Sequence, residues 1–554
     1  MSDVLSQATH GGAALAWHSI NWAKCQRIVR SLQRRIVKAV CAGFWRKVRR
    51  LCYILTHSFS ARALAVRRVT ENSGKKTAGV DGEIWNTPAK KWRAIEVIGD
   101  WKGYNSRALR RIYIPKKNGK KRPLGIPTMQ DRARQALHKQ ALEPIAETQA
   151  DANSYGFRSK RRCADAIDQC FKVFRQKNSA EWILEGDIKG FFDHISFEWM
   201  LTHIPMNKRI LKKWLTCGFM ENNRLFPTES GVPQGGVISP VLSNMVLDGL
   251  EAVILHNSNF KRQHKLNFVR YADDFIVSAA SKEILEEVIV PRIEAFLVER
   301  GVELSREKTR ITHISEGLDF LGQTIRKYRA NGKLQITPSK ASMKAVKAEI
   351  KDICKSSCNL SPRQLIKRLN PVLRGWANYH RHVICAESFS QIDHYVWQRL
   401  YQWAKRRHAR KSGRWIYRKY FRRKNGWKWC FTDKKSNQSI IHISQQIKHQ
   451  VHIKIRNEAN PFDARWENYF AKRDRMLKLK LCSQFQAKVF RRQQGICPVC
   501  KQAIAADEEV DLHHLDENHQ NNKLDNVVWL HPNCHRQLHH SDQIRSEKSY
   551  CRVS

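Results

Sequence analysis

The sequence predicts a multidomain chain of mixed α/β and α class. A central α/β region has helical segments on both sides and ends in a small Cys/His-rich module. Three observations lead there. At roughly 100–200 residues per domain, a chain of 554 residues divides into several cores. Short apolar runs (Ile112–Ile114, Trp182–Leu184, Phe268–Val269, Phe275–Val277) alternate with helix-like patterns over 131–147, 196–220 and 281–300, as strands and helices do in turn. Paired cysteine and histidine motifs are confined to 491–554. Hydrophobic residues make up 42% of the chain, enough for globular cores rather than disorder.

Charge sets the partner. There are 100 Lys plus Arg against 50 Asp plus Glu, a net +50. Such a surplus repels itself unless a polyanion neutralises it, which points to nucleic acid. No apolar run approaches the roughly 20 residues that span a bilayer, and residues 1–20 lack a basic start followed by an apolar core, so no membrane or secretory role is expected. The 15 cysteines are mostly scattered, as at Cys25, Cys41, Cys217 and Cys354, which suits free thiols in a reducing compartment. Residues 1–75 read as a basic helical extension. Its first 70 residues hold thirteen Lys or Arg and one acid, Asp3, and apolar residues recur at helical spacing between Ile28 and Leu55.

Within 76–335, Asn267–Ser278 reads as two apolar strands around Tyr271-Ala272-Asp273-Asp274, a hairpin with acids at its tip. Acids are common at turns. A second apolar strand, Trp182–Gly186, runs into Asp187. Carboxylates at two strand ends can converge on a pair of Mg²⁺ ions, hard cations that prefer oxygen ligands. Asp187 and Asp273 are the expected principal ligands, with Asp274 supporting. Two such ions suit the attack of a 3′-hydroxyl on a nucleotide α-phosphate.

An ordered set of blocks surrounds these acids: Leu109–Pro127, Ser154–Arg158, Gly231–Pro240, Leu304–Thr309 and Phe320–Gly322. Together they resemble the reverse transcriptases encoded by group II introns. The resemblance implies a right-hand polymerase fold with fingers and palm over 76–335. It places Arg122 on the incoming triphosphate, with Lys116 and Lys121 as looser candidates. Phe192 would be a bulky gate against a ribose 2′-hydroxyl, Gln234 and Gly235 would support template and primer, and Lys308 would lie near the phosphates. The Thr77–Gly82 block resembles the family's extension ahead of the fingers, with Asp81 as a turn former.

Residues 336–425 are expected to be helical. Ser361–His380 resembles the start of the family's thumb, domain X, which is linked to splicing assistance (maturase activity). Leu365, Leu369, Val372 and Leu373 fall on one face, interrupted by Pro371. Residues 399–424 carry twelve Lys or Arg and no acid, interleaved with Tyr401, Trp403, Trp415, Tyr417, Tyr420 and Phe421. Cations for phosphates and rings for unpaired bases suit a folded RNA. Residues 426–490, basic and mixed, are expected to bind DNA.

In 491–554, Cys497-Pro-Val-Cys500 and His531-Pro-Asn-Cys534 form two knuckle-like pairs. Three thiolates and one imidazole would close a structural Zn²⁺ site, the kind of staple a module this small needs. Between and after the pairs, Val510–Asp516, Asn526, His535 and His539 resemble the HNH (ββα-metal) nucleases. By that resemblance His514 is the general base, Asn526 orients it by fixing the loop, and His513, His535 and His539 hold one divalent ion, expected to be Mg²⁺. His535 and His539 share a helix face. His531 stands where the family has Cys.

The combination resembles a group II intron-encoded protein. It implies an RNA-directed DNA polymerase and maturase with a DNA endonuclease, partnered by intron RNA, target DNA and dNTPs in a bacterial cytoplasm. The nick made by the endonuclease would prime reverse transcription of the inserted intron. A non-catalytic RNA-binding splicing factor on the same fold predicts lost acids, whereas Asp187, Asp273 and Asp274 are all present. A free-standing retroelement reverse transcriptase would lack the pairing of maturase thumb and HNH module.

Overall fold

The computed structural model describes residues 10–539, except 116–118, 120, 329, 331, 425, 506 and 507. Lys116 therefore lies outside the described residues.

The chain opens with four helices, His10–His18, Trp22–Cys41, Trp45–His57 and Phe59–Glu71. Asn21 caps the second by accepting the Lys24 amide at 2.9 Å. Val29, Leu32, Ile36 and Val40 bury one stripe of it, and its Arg and Lys residues line the other side. Ile28 lies outside that stripe, exposed. The extension packs on the long helix Met129–Gln149, and both belong to one continuous apolar core with the palm.

Strands β1 (Leu109–Pro115), β2 (Lys121–Ile126), β4 (Phe219–Glu221) and β5 (Arg224–Phe226) make the fingers sheet, in the order β2-β1-β4-β5. The palm sheet has the order β6-β7-β3-β8, built from β3 (Trp182–Gly186), β6 (Asn267–Tyr271), β7 (Asp274–Ala279) and β8 (Arg310–His313). All its pairings are antiparallel. The central strands β3 and β7 are buried on both faces, so they read as unbroken apolar runs rather than as alternation. A third sheet, β9 (Leu318–Phe320), β10 (Gln323–Lys327) and β11 (Leu334–Pro338), leads to the next domain.

That domain packs helices Lys340–Ser356, Pro362–His380 and Ala386–Arg407 around a second core. Ser361 and Gln364 form a capping box at the start of the middle helix. This helix runs through Pro371 without ending there. Leu365, Leu369 and Leu373 are fully buried, while Val372 is only partly so. The hairpin β12 (Phe421–Lys424) and β13 (Trp427–Phe431) closes this core together with Ile440, Ile441 and Ile443.

Packing sorts the rings of the basic run. Of the rings in 399–424, Trp403, Tyr420 and Phe421 are buried in the core, because they lie on the inward faces of their elements. Tyr401, Trp415 and Tyr417 stay partly exposed, with Lys419 4.6 Å from the Trp415 ring. Part of the segment 426–490 packs on the palm. Its residues 450–463 form an extended strap laid back across the palm. There His452 Nε2, the Ile455 amide and Arg473 Nη2 meet Asp165 Oδ1 at 2.9, 2.7 and 2.7 Å. Asp165 is fully buried, and these partners hold its carboxyl below its ordinary pKa although burial alone would raise it. Beyond the strap come helices Glu467–Leu481 and Gln484–Arg492.

The C-terminal module has its own small core around Phe490, Trp529 and Leu530. It contains β14 (Asp511–His514) antiparallel to β15 (Val527–Leu530), followed by a helical stretch over 532–539. It docks on the N-terminal extension: Arg536 pairs with Glu71 at 2.6 Å, and Gln537 donates to the carbonyls of His18 and Ile20.

Candidate functional sites

The palm acids meet through strand register. Gly186 at the end of β3 pairs with Phe275 in β7, so Asp187, one residue on, faces the position of Asp274. Asp274 pairs with Tyr271, which leaves Ala272 and Asp273 as a two-residue turn. A Cβ on Gly186 would lie 2.2 Å from the Phe275 ring, so only glycine lets this strand end come so close.

The acids strain against each other. Burial and the charge of Asp187 raise the Asp273 pKa, against the pull of Arg122 and Lys308. Asp274 is pushed up to about 6 by desolvation and by Asp273 and Asp187. Crowded carboxylates that offer only hard oxygen donors are what a divalent cation relieves, so the set fits Mg²⁺. Lys308 Nζ donates to Asp187 Oδ2 at 2.6 Å, and the Ser305 amide donates to the Asp187 carbonyl at 2.8 Å.

Arg122 and Lys121 lie on β2, the outer fingers strand, both exposed. Phe192 follows Gly190, whose φ of 52° turns the chain out of β3 into a short helix. Phe192 and Gln234 line a cavity of about 350 Å³ between fingers and palm, with Arg111, Tyr113 and Asp193. The Gln234 carbonyl accepts the Gly125 amide at 2.8 Å, and Gln234 Nε2 donates to Asp193 Oδ1 at 3.3 Å. The Gly231–Pro240 block thus ties the palm to β2. Asp81 accepts the Glu83 amide within its turn, 3.1 Å away.

In the C-terminal module the ligand atoms of Cys497, Cys500, His531 and Cys534 lie within 4.8 Å of one another. Lys501, with φ +56°, closes the first knuckle and donates its amide to the Cys497 carbonyl at 2.9 Å. His531 turns Nδ1 toward Cys500 Sγ, 3.3 Å away, and Nε2 toward Glu508 at 3.4 Å. A carboxylate behind an imidazole fixes its tautomer, an arrangement that suits Zn²⁺.

A second cluster, His513, His535 and His539, also has its ring nitrogens within 4.8 Å. Nε2 of His535 and of His539 are 3.0 Å apart, and Asp511 Oδ2 lies 3.3 Å from His535 Nδ1. His514, next along β14, faces the other side, with Nε2 3.2 Å from Asn522 Oδ1. Among the described residues no hydrogen bond joins Asn526 to His514. The Asn526 side chain and backbone tie Asp516, Asn521 and Leu515, holding the loop that leaves β14.

Sequence reasoning passed over Asp511, Glu508 and Asn522. Asp511 carried a signal: two residues before His513 on a strand, it shares that residue's face. Glu508 and Asn522 sit in loops without periodicity, and nothing in the sequence marks them.

Three families match this chain: residues 17–98 the N-terminal domain of reverse transcriptase, 114–325 reverse transcriptase (RNA-dependent DNA polymerase), and 343–421 the group II intron maturase-specific domain. The group II intron-encoded protein LtrA of Lactococcus lactis subsp. cremoris is 31% identical over 333 residues, 48% of this chain and 55% of LtrA. The protein YkfC of Escherichia coli (strain K12) is 29% identical over 361 residues, 57% of this chain and 94% of YkfC. Maturase-like protein 1 of Euglena gracilis is 26% identical over 372 residues, 65% of this chain and 76% of that protein. The match to LtrA thus spans about half the length of that relative.

Proposed function

We propose that this homologue of the group II intron-encoded proteins, built from reverse transcriptase and maturase-specific domains, copies RNA into DNA, helps its intron RNA to splice, and nicks DNA with its C-terminal module. One observation carries the polymerase reading: Asp187, Asp273 and Asp274 come together at adjacent strand ends, close enough to Arg122 of the fingers sheet for its charge to act on Asp273.

Asp187, Asp273 and Asp274 would hold two Mg²⁺ ions, whose charge lowers the barrier for a primer 3′-hydroxyl to displace pyrophosphate. Arg122 and Lys121 extend from β2 to the triphosphate. Phe192 fills the space beside the sugar and excludes a 2′-hydroxyl. Gln234 holds the template-primer against β2. Lys308, paired with Asp187, would lie near the phosphates. The net charge of +50 and the partly exposed Trp415, Tyr401 and Tyr417 suit a folded intron RNA. Among the described residues no helix is long and apolar enough to cross a membrane.

In the C-terminal module, Cys497, Cys500, His531 and Cys534 would hold a structural Zn²⁺. His513, His535 and His539 would hold one divalent ion that stabilises the scissile phosphate. His514 takes the proton of the attacking water while Asn526 keeps its loop in place. Exposed basic residues of 426–490 would guide the target DNA, and the nicked strand would supply the primer.

Primer extension on an RNA template tests the first claim. The Asp273→Asn protein should make no detectable cDNA while still binding intron RNA; undiminished synthesis overturns the polymerase reading. His514→Ala should abolish nicking and leave polymerisation intact.

A further inference from the structure

We propose that Arg270 is a positioning residue for the polymerase acids, acting through a buried clamp that holds the turn bearing Asp273. This rests on the polymerase reading above. Three observations carry it.

First, the turn is strained. Ala272 has φ +59°, in the left-handed region that an alanine rarely enters. A non-glycine residue stays there only where its surroundings over-determine it.

Second, the surroundings converge on that residue. Arg270 is fully buried, two positions before Ala272. Its Nη1 donates to the Ala272 carbonyl at 3.4 Å and to Asn244 Oδ1 at 3.2 Å. Its Nη2 pairs with Asp248 at 2.5 Å and with Asp151 at 3.7 Å. Asn244 Nδ2 in turn donates to the Gly156 carbonyl at 2.8 Å. Gly156 lies flush against the turn: a Cβ there would sit 2.3 Å from the Ala272 amide nitrogen.

Third, β6 is an edge strand, and nothing within the palm sheet pairs its outer side. The loop 153–155 does so instead. The Arg270 amide donates to the Asn153 carbonyl and the Tyr155 amide to the Arg270 carbonyl, both at 2.9 Å. The strap covers this loop from outside, where Asn457 Nδ2 donates to Asn153 Oδ1 at 2.8 Å.

A cation placed only to stabilise the sheet would have no need to reach the turn. Here one guanidinium touches the strained residue, and its partner Asn244 holds the backbone that abuts it. The clamp therefore sets where Asp273 and Asp274 stand relative to Asp187. A shift of about 1 Å in such a constellation lowers a rate on the order of 100-fold.

The test uses the full chain and three proteins: wild type, Asn244→Ala and Arg270→Lys. Primer extension gives kcat and the KM for dNTP. Intron RNA binding and hydrogen exchange of the 267–275 segment are read alongside. Asn244→Ala should lose about 100-fold in kcat, with KM and RNA affinity changed less than about two-fold. Exchange of the segment should quicken. Arg270→Lys, which keeps the charge but not the fork that reaches Ala272, Asn244 and Asp248, should lose at least as much. Full kcat in Arg270→Lys or in Asn244→Ala overturns the proposal. So does a loss of kcat that RNA binding follows in parallel, because the clamp would then serve the fold as a whole. An inactive wild type would instead refute the polymerase reading itself.

Discussion

Asp165→Asn is the substitution that most directly tests how the strap is held. It keeps the shape of the side chain and removes its charge. Asp165 accepts from His452, Arg473 and the Ile455 amide on Oδ1, and from the Arg162 amide on Oδ2 at 2.9 Å. It has no exposed surface, and Arg473 beside it is only 2% exposed. An amide can satisfy some of these donors but cannot balance the buried guanidinium. Removing one partner of a buried ion pair costs about 3–5 kcal/mol. The loss should appear first as release of the strap, since three of the donors belong to 452–473. Limited proteolysis should cut within 449–463 in the variant at enzyme levels that spare the wild type, and urea melts should show the lost stability. The same group sets a pH dependence. Its folded pKa lies below its unfolded one, so its stabilisation is complete well above the ordinary carboxylate pKa of about 4. It is lost as the pH falls through that value and on through the folded pKa. The variant should lack this acid-side loss. A variant destabilised by less than about 1 kcal/mol, with the wild-type cleavage pattern, would refute the reasoning.

Three further outcomes follow from the same geometry. Gly186→Ala places a Cβ 2.2 Å from the Phe275 ring, and overpacking of that kind costs about 1–3 kcal/mol; thermal melts should show it together with lost cDNA synthesis. Phe192→Ala should relax the preference for deoxynucleotides by roughly 10- to 200-fold, read as the ratio of kcat/KM for dNTP and rNTP. Asp511→Asn should weaken the divalent ion at the histidine cluster about 10- to 100-fold, read as the Mg²⁺ concentration for half-maximal nicking, with zinc content unchanged.

Much of this architecture was open to reading in the chain. β3 and the β6–β7 hairpin are apolar runs that end at acids, so Asp187 and Asp273 each announced a strand end. The apolar stripe Leu365–Leu369–Leu373 is likewise a local pattern. The run 399–424 was not legible in the same way. Its composition is that of a nucleic-acid surface, yet Trp403, Tyr420 and Phe421 turn inward. Composition counts rings, and only packing decides which side of an element each one occupies.

The amino-acid sequence alone determined the charge and pointed to most of the element types, because composition and periodicity are properties of the chain and of neighbouring residues. Tertiary structure decided the rest. Arg270 meets Asp248 and Asn244, Asp165 meets Arg473 some three hundred positions away, and Arg536 meets Glu71 across nearly the whole chain. Such pairs have no spacing to betray them. The two buried ones, Arg270–Asp248 and Asp165–Arg473, exist because a buried charge must find its counter-charge wherever the fold brings one near.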